Sequence, residues 1–247
     1  MGSISIRAEL VVQILDELTG QPVISGGKQV KLQTEQGKLP LEKGNGYYVF
    51  LHPVELRTLF RIEVWGYRTQ EVRLEEQDVV QGIWRIYMEP DKQYPISKGC
   101  YSLFGKGKPG EERILICHPD GSLGLRSDYT AGEEMVSLYI RTGTVLIEKN
   151  FQIREQEQME FLSLSKAEEK DSCEYRLTQP LQESYHVRQA AFYPVKRVTV
   201  DEQGEFFCYW HRSKEGKPTR FCEIWTPEGQ KLETLELEAG KRVRLHD

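Results

Sequence analysis

Short strand-like runs separated by turn residues fill residues 16–74, and this pattern is typical of a β-domain. Residues 30–34 alternate polar side chains with ones suited to a core, which is the pattern of a strand with one buried face. The aromatic and β-branched run 47–51 follows a Gly-Asn-Gly turn at 44–46, where glycine and asparagine tolerate positive φ. The segment therefore predicts an all-β domain.

Three turn motifs make this segment resemble the carboxypeptidase regulatory-like (prealbumin-like) family of β-sandwich domains. They are T-G-Q-P at 19–22 after an acidic residue, G-Y-Y-V-F at 46–50 where a strand begins, and W-G-Y at 65–67 where a strand ends. The resemblance covers about residues 5–90, and it departs from the family at 52–56, where a longer loop replaces the usual Pro-Gly turn. It implies a non-catalytic module that supports, anchors or binds, with no catalytic residues to carry over.

The rest of the chain also consists of short strand-like runs between glycine and proline turns, which is typical of β-sandwiches. The polar segment 89–97 contains two prolines and is interpreted as a linker. We therefore predict an all-β chain of tandem small β-sandwiches, Ig-like or prealbumin-like, with domains at 1–94, 95–182 and 183–247. The sequence leaves open whether 95–247 forms one domain or two.

A weak internal repeat indicates that the third domain is related to the second. Pro-acid-Gly turns begin at Pro119 and Pro227, and an Ala-Gly pair begins twelve residues after each proline. A Gly-Lys-Pro turn and an apolar strand precede both copies. The alternative is that both segments use common turn residues by chance.

Net charge and hydropathy argue against two classes of partner. The net charge is −5 and the pI is near 5.7, so no broad positive excess can neutralise phosphates and nucleic acid is not expected. No apolar run approaches the roughly 18 residues of a membrane span.

Residues 1–12 lack the apolar region and cleavage site of a secretory signal. We expect a location in the cytoplasm or in a particle assembled there, or outside the cell if a signal peptide has been removed.

The chain has five cysteines, and none of them belongs to a C-x-x-C motif. An odd, scattered set favours a reducing compartment, in which cysteines act as small core residues. Cys208 and Cys222 form the sharpest pair, because they would face each other if 206–210 and 221–225 formed a hairpin. They would then be a packed thiol pair in the cytosol, which we favour, or a disulfide in an oxidising compartment.

Histidines close to cysteines raise the question of a metal or nucleophile site. His118 follows Cys117 directly, and His211 lies three residues after Cys208. A tetrahedral zinc site requires two such pairs at short spacing, and a nucleophilic cysteine requires an orienting partner. The sequence shows neither pattern, so we predict no catalytic residue, no metal site and no cofactor.

Large aromatic side chains are the candidates for a binding surface. Rings with a polar end dominate interface hot spots, and they also stack on sugars. Core packing is the alternative, because most of these residues alternate with apolar ones. The candidate interface aromatics are Tyr47, Trp65, Tyr67, Trp210 and Trp225.

These patterns favour a non-enzymatic structural or adaptor subunit of a larger assembly, with other protein subunits as partners at its sheet edges and end loops. By analogy of fold, a prealbumin-like module with no export signal points to a particle assembled inside a bacterium, such as a phage-tail-like or contractile injection particle. The alternative is an exported or surface protein that binds carbohydrate or mediates adhesion. A hydrolase using the glutamate pairs at 133–134 and 168–169 is a third hypothesis.

Overall fold

The chain is a β-protein in two compact units, Met1–Pro95 and Ile96–Asp247. The computed structural model describes residues 8–23, 30–118, 124–139, 150–166, 173–212 and 216–245. Within these ranges the chain forms twenty-one strands, one short 3-10 helix at Glu76–Asp78, and no α-helix. The predicted all-β class is confirmed. The first predicted Pro-acid-Gly turn and the second glutamate pair, at 119–121 and 168–169, lie outside the described residues.

The first unit contains eight described strands in two sheets. The strands are β1 (Leu10–Asp16), β2 (Lys31–Thr34), β3 (Leu41–Lys43), β4 (Tyr47–Phe50), β5 (Leu59–Glu63), β6 (Gln70–Arg73), β7 (Val79–Val80) and β8 (Ile83–Met88). One sheet has the order β3-β4-β1-β8-β7, and the other has the order β2-β5-β6. Strand β1 pairs antiparallel with β4 and parallel with β8.

The two sheets of the first unit share one core of apolar side chains. Side chains alternate across a strand, so Leu32 of β2 and the pair Phe60 and Ile62 of β5 all bury against the larger sheet. The ring of Phe60 meets Phe50 edge-on at 5.5 Å and Trp84 at 5.0 Å between centroids. These aromatic contacts join strands of both sheets into a sandwich.

Asp16, at the end of β1, fixes the T-G-Q-P turn of the first unit. Its Oδ1 accepts the backbone N–H of Thr19 at 3.0 Å. Its Oδ2 accepts the hydroxyls of Tyr67 at 2.7 Å and Tyr94 at 2.6 Å. Burial, together with the hydrogen bond to Asp16, raises the pKa of Tyr67 well above its ordinary value, so the phenol stays a donor. The acidic residue, the turn and the Gly-Tyr motif are therefore parts of one hydrogen-bonded cluster.

The second unit contains thirteen described strands in three sheets. The strands are β9 (Cys100–Lys106), β10 (Glu112–Cys117), β11 (Gly124–Leu125), β12 (Met135–Tyr139), β13 (Asn150–Glu155), β14 (Gln158–Lys166), β15 (Glu174–Leu177), β16 (Ala191–Pro194), β17 (Lys196–Thr199), β18 (Glu205–His211), β19 (Thr219–Trp225), β20 (Lys231–Glu238) and β21 (Arg242–Arg244). The sheets have the orders β18-β9-β21, β17-β10-β19-β20 and β11-β12-β15-β14-β13-β16.

Strand pairings in the second unit cross the boundary that the sequence suggested at 182/183. Strand β9 pairs with β18 and β21, and β10 pairs with β17 and β19. The three-stranded and four-stranded sheets enclose one core, while the six-stranded sheet has a core of its own and lies in sequence between β10 and β17. The unit is therefore a sandwich with an inserted sheet. Several of its strands pair with strands that are distant in sequence. The hydrophobic periodicity of the chain does not indicate such pairings.

Replacing Gly46 with alanine tests the tight turn before β4. Gly46 has a φ of +72°, and an added Cβ would lie 2.8 Å from the Ile14 carbonyl oxygen and 3.2 Å from Cβ of Pro22. Gly37 has a φ of +75° with open space around that position, so Gly37→Ala is the matched control. Left-handed backbone costs a non-glycine residue about 1–2 kcal/mol, and the close approach adds to that cost. In urea denaturation we expect G46A to lose about 2–4 kcal/mol and G37A about 1 kcal/mol. Equal losses would contradict the close approach.

Candidate functional site

Glu223 of β19 is a buried charge in the second unit, with 4 % of its surface exposed. Its neighbours Cys222 and Ile224 face the core between the three-stranded and four-stranded sheets. Because side chains alternate along a strand, Glu223 points to the opposite face. On that face Ile114, Ile116 and Val195 form a second apolar cluster, packed against Phe161, Tyr193 and Trp225. Glu223 therefore lies where the four-stranded sheet meets the inserted six-stranded sheet.

Four nitrogen-bearing side chains surround the Glu223 carboxylate. Arg154 of β13 binds it with both terminal nitrogens, Nη2 to Oε2 at 2.6 Å and Nη1 to Oε1 at 3.2 Å. His118 Nε2 lies 2.9 Å from Oε1, and the Trp225 indole Nε1 donates to Oε2 at 2.8 Å. Lys231 Nζ adds a positive charge 3.5 Å from Oε1. Both carboxylate oxygens are thus occupied by donors within the unit.

Aromatic rings hold the Arg154 guanidinium in place. Its Cζ lies 4.9 Å from the centroid of Tyr193 and 5.0 Å from that of Trp225, distances at which a cation is attracted to a ring face. Its Nε donates to Oε1 of Gln152 on the same strand. The His118 ring packs against Tyr193 at 5.1 Å. These contacts fix the orientation of the guanidinium plane. Its two terminal nitrogens can therefore bind the two carboxylate oxygens of Glu223 together.

The pKa of Glu223 reflects two opposing effects. Burial alone would raise that pKa, because it disfavours the charged form. The hydrogen bonds from His118 and Arg154, with the Arg154 charge, outweigh burial and hold the pKa far below its ordinary value of 4.5. The carboxylate is therefore ionised at all physiological pH values. A carboxylate that is ionised and fully hydrogen-bonded is a poor proton donor or base, and its chemistry is that of a structural ion pair.

Glu155 of β13 forms a second, simpler buried-carboxylate contact in this unit. Its Oε2 accepts the backbone N–H of His186 at 2.6 Å, and its Oε1 lies 2.7 Å from His186 Nδ1. The backbone hydrogen bond is the main reason that the pKa of Glu155 lies below its ordinary value. The hydrogen bond to Glu155 raises the pKa of His186. This contact anchors the loop before β16 to the end of β13.

The predicted cysteine hairpin is wrong. Strand β18 pairs with β9, whereas β19 pairs with β10 and β20, so Cys208 and Cys222 lie in different sheets. The residue opposite Cys222 on β10 is Cys117, and on β20 it is Leu235. Cys117, Cys208 and Cys222 all contribute to the same core, and no disulfide joins any of the five cysteines, all of which are described. The hairpin prediction failed because an apolar strand can pair with many other strands, and its local sequence does not specify which one.

The five predicted interface aromatics fall into different environments. Trp210 lies in a core with 9 % exposure, and Tyr67 donates its hydroxyl to Asp16. Trp225 packs at the Glu223 cluster, and Tyr47 is half-buried in β4. Trp65 is 48 % exposed. An interface role for these residues stays a prediction, and Trp65 has the exposure that such a role requires.

Sequence reasoning missed the Glu223 cluster. One signal was present, because Glu223 is a lone charge inside the apolar run F-C-E-I-W at 221–225. A charge at such a position indicates a buried partner, since unpaired buried charges are costly. The partner Arg154 lies in the inserted sheet, and no local spacing connects the two residues. Among the described residues no cluster of three or more histidine, cysteine or acidic side chains is arranged to hold a metal ion.

No protein-family model matches the chain, and no curated protein matches it. Among solved structures, one variant of the shaft pilin SpaA from Lactobacillus rhamnosus GG is 11 % identical, with a TM-score of 0.24 over 95 % of each chain. A second variant gives the same identity and TM-score over 97 % of this chain and 96 % of the other. These values do not establish a shared topology, so the fold rests on the strand pairings above. The resemblance to carboxypeptidase regulatory-like domains stays a prediction.

The described part of the chain also contains no helix with the length and apolarity of a membrane crossing.

The substitution Glu223→Gln tests whether the ion pair holds the second unit together. It keeps the shape of the side chain but leaves the Arg154 charge without its counterion, and breaking a buried pair is strongly destabilising. Because the Arg154 side chain is 23 % exposed, we expect a loss of about 2–4 kcal/mol in the free energy of unfolding. Glu112→Gln is the control, since its pair with Arg197 is exposed and contributes less than about 1 kcal/mol. Losses of equal size in urea denaturation would rule out a structural role for the cluster.

Acid should remove the same stabilisation. A carboxylate with a depressed folded-state pKa contributes stability that is present above its unfolded-state value, near 4.5, and is lost as the pH falls toward the folded-state value. We therefore expect the urea midpoint to fall more steeply below pH 4.5 in the wild type than in Glu223→Gln. Glu112→Gln should keep the wild-type slope. Parallel slopes for all three proteins would show that folding does not lower the pKa of Glu223.

Proposed function

We propose that the chain is a non-enzymatic structural or adaptor subunit of a larger protein assembly. The observation that carries this proposal is how the described residues use their buried carboxylates, Asp16, Glu155 and Glu223. Each one is bound by side-chain or backbone donors of its own unit and fastens a turn, a loop or two sheets. Catalytic carboxylates instead face a cleft with a perturbed pKa suited to proton transfer.

Exposed apolar side chains beside an edge strand support a role in binding protein. Strand β3 is at the edge of the five-stranded sheet, and it pairs with β4 on one side. Leu41 in β3 is 50 % exposed, and Leu39 just before it is 73 % exposed. An edge strand offers backbone groups to an added strand, and alternate side chains supply specificity. A partner subunit with an extended apolar segment fits this edge.

The finer proposal is a subunit of a phage-tail-like or contractile injection particle, located in the cytoplasm or in a particle assembled there. Buried carboxylates fasten turns, loops and sheets within each unit, and such internally fastened units suit a subunit of a rigid particle. The alternative is an exported or surface protein that binds carbohydrate or mediates adhesion. The half-exposed Trp65 favours that alternative, because an indole face stacks on a sugar ring.

Purification of the tagged chain from its native host tests the proposal. We expect the chain to sediment as a large particle, with partners in fixed ratio that mass spectrometry identifies. Leu41→Asp should weaken recovery of one partner at least about tenfold, because a charge at the β3 edge opposes contact with an apolar segment. Leu56→Asp is the matched control, since Leu56 is a leucine of the same unit with 57 % exposure and lies outside the strands.

Recovery of the chain as a lone monomer would contradict an assembly role. A glycan array with Trp65→Ala then tests the alternative, and Tyr87→Ala is its matched control, since Tyr87 is an aromatic residue of the same unit with 49 % exposure. Binding of a sugar that is lost in Trp65→Ala and kept in Tyr87→Ala would establish the carbohydrate-binding function instead.

A further inference from the structure

One core of the second unit contains three cysteines from three different strands. Cys117 lies in β10, Cys208 in β18 and Cys222 in β19, with exposures of 4 %, 6 % and 0 %. All three belong to the cluster enclosed by the three-stranded and four-stranded sheets. Their side chains therefore point into the same space, and the strand geometry decides which two of them can meet.

Cys117 and Cys222 are direct partners across the antiparallel strands β10 and β19. The adjacent pair is hydrogen-bonded, because the N–H of His118 donates to the carbonyl of Phe221 at 2.8 Å. Hydrogen-bonded and non-hydrogen-bonded pairs alternate along an antiparallel ladder, so Cys117 and Cys222 form a non-hydrogen-bonded pair. Such pairs have Cα atoms about 4.5 Å apart, with their side chains closer than at the alternate positions.

This separation lies within the range that a disulfide accepts. Disulfide-linked residues have Cα atoms about 4.4–6.8 Å apart and Cβ atoms about 3.5–4.5 Å apart. Both side chains project from the same face of the same sheet into one core, so rotation of the two side chains and a small approach of the two strands align the sulfurs. Cys208 belongs to the facing sheet, and stacked sheets lie about 10 Å apart, which places its backbone beyond bridging distance.

We propose that Cys117 and Cys222 are a disulfide-forming site, closed by a disulfide oxidant such as oxidised glutathione. The thiolate of one cysteine attacks the oxidant, forming a mixed disulfide and releasing one glutathione thiol. The thiolate of the other attacks the protein sulfur of that mixed disulfide, forming the Cys117–Cys222 bond and releasing the second glutathione thiol. The two protein thiols lose two electrons and two protons, and one glutathione disulfide gains them.

Burial decides when the bond can form. Burial raises the pKa of the Cys222 thiol well above its ordinary value, and the neighbouring cysteines add to that effect. The thiolate is the reacting species, so the closed core reacts slowly. The bond therefore forms while the chain folds, before the facing sheet covers β10 and β19. The proposal goes beyond the proposed function and does not rest on it.

Refolding in a glutathione redox buffer tests the pairing. The reduced, unfolded full-length chain is refolded with reduced and oxidised glutathione, remaining thiols are alkylated, and the protein is digested with trypsin without reduction. Tryptic cleavage places Cys117 in peptide 114–126, Cys222 in 221–231 and Cys208 in 198–212, so each pairing gives a different mass. We expect 114–126 linked to 221–231, with 198–212 alkylated. A link to 198–212, or alkylation of all three peptides in the refolded protein, would overturn the proposal.

Thermal unfolding gives a second readout, in which each protein is compared with its own reduced form. A bond that closes so long a loop restricts the unfolded chain, so we expect oxidation to raise the wild-type midpoint by on the order of 10 °C. Cys208→Ala, from the same core, should keep that increase. Cys117→Ala should lose it, and an increase that persists in Cys117→Ala would contradict the assigned pair. The refolded wild type decides the pairing even if a variant does not fold.

Discussion

The ion pair between Glu223 and Arg154 is the contact that fastens the inserted sheet of the second unit to the sandwich from which it emerges. Removing two charges from water costs several kcal/mol, and a single contact rarely offsets that cost. Here three kinds of contact offset the cost of burying the charges. Arg154 binds both carboxylate oxygens of Glu223, Trp225 donates a further hydrogen bond to that carboxylate, and the Tyr193 ring attracts the Arg154 cation. Separating the sheets would leave a charge in an apolar interface, so the pair favours one arrangement of the two sheets.

In the first unit a buried carboxylate is likewise held by several hydrogen bonds, and here all the donors are uncharged. Asp16 is buried at a strand end, and two tyrosine hydroxyls and a backbone N–H surround it. Hydrogen bonds to a charged acceptor are stronger than neutral ones, so this cluster holds the turn after β1 to the strand that carries the Gly-Tyr motif. In both units, a buried carboxylate fastens separate elements of the fold to one another.

Much of the local structure could be predicted from the sequence. The strand at 30–34 and the Gly-Asn-Gly turn before β4 follow from side-chain alternation and from the conformational freedom of glycine, both of which are local properties. The candidate site could not be predicted in the same way. Glu223 was visible as a charge in an apolar run, but Arg154 and His118 reach it from distant parts of the chain. The cysteine pair was assigned to the wrong strands for the same reason.

The all-β class and the positions of many strands and turns can be predicted from the residues alone, because they depend on neighbouring residues in the chain. The pairing of the strands depends on the complete fold, since two apolar strands form equally good backbone hydrogen bonds with many partners. With β18 paired to β9 and β19 paired to β10, the two sheets share one core, and the second face of the four-stranded sheet packs against the inserted sheet. This arrangement placed Cys222 opposite Cys117 and brought Glu223 against Arg154, so the chemistry of the interior follows from pairings that no local pattern encodes.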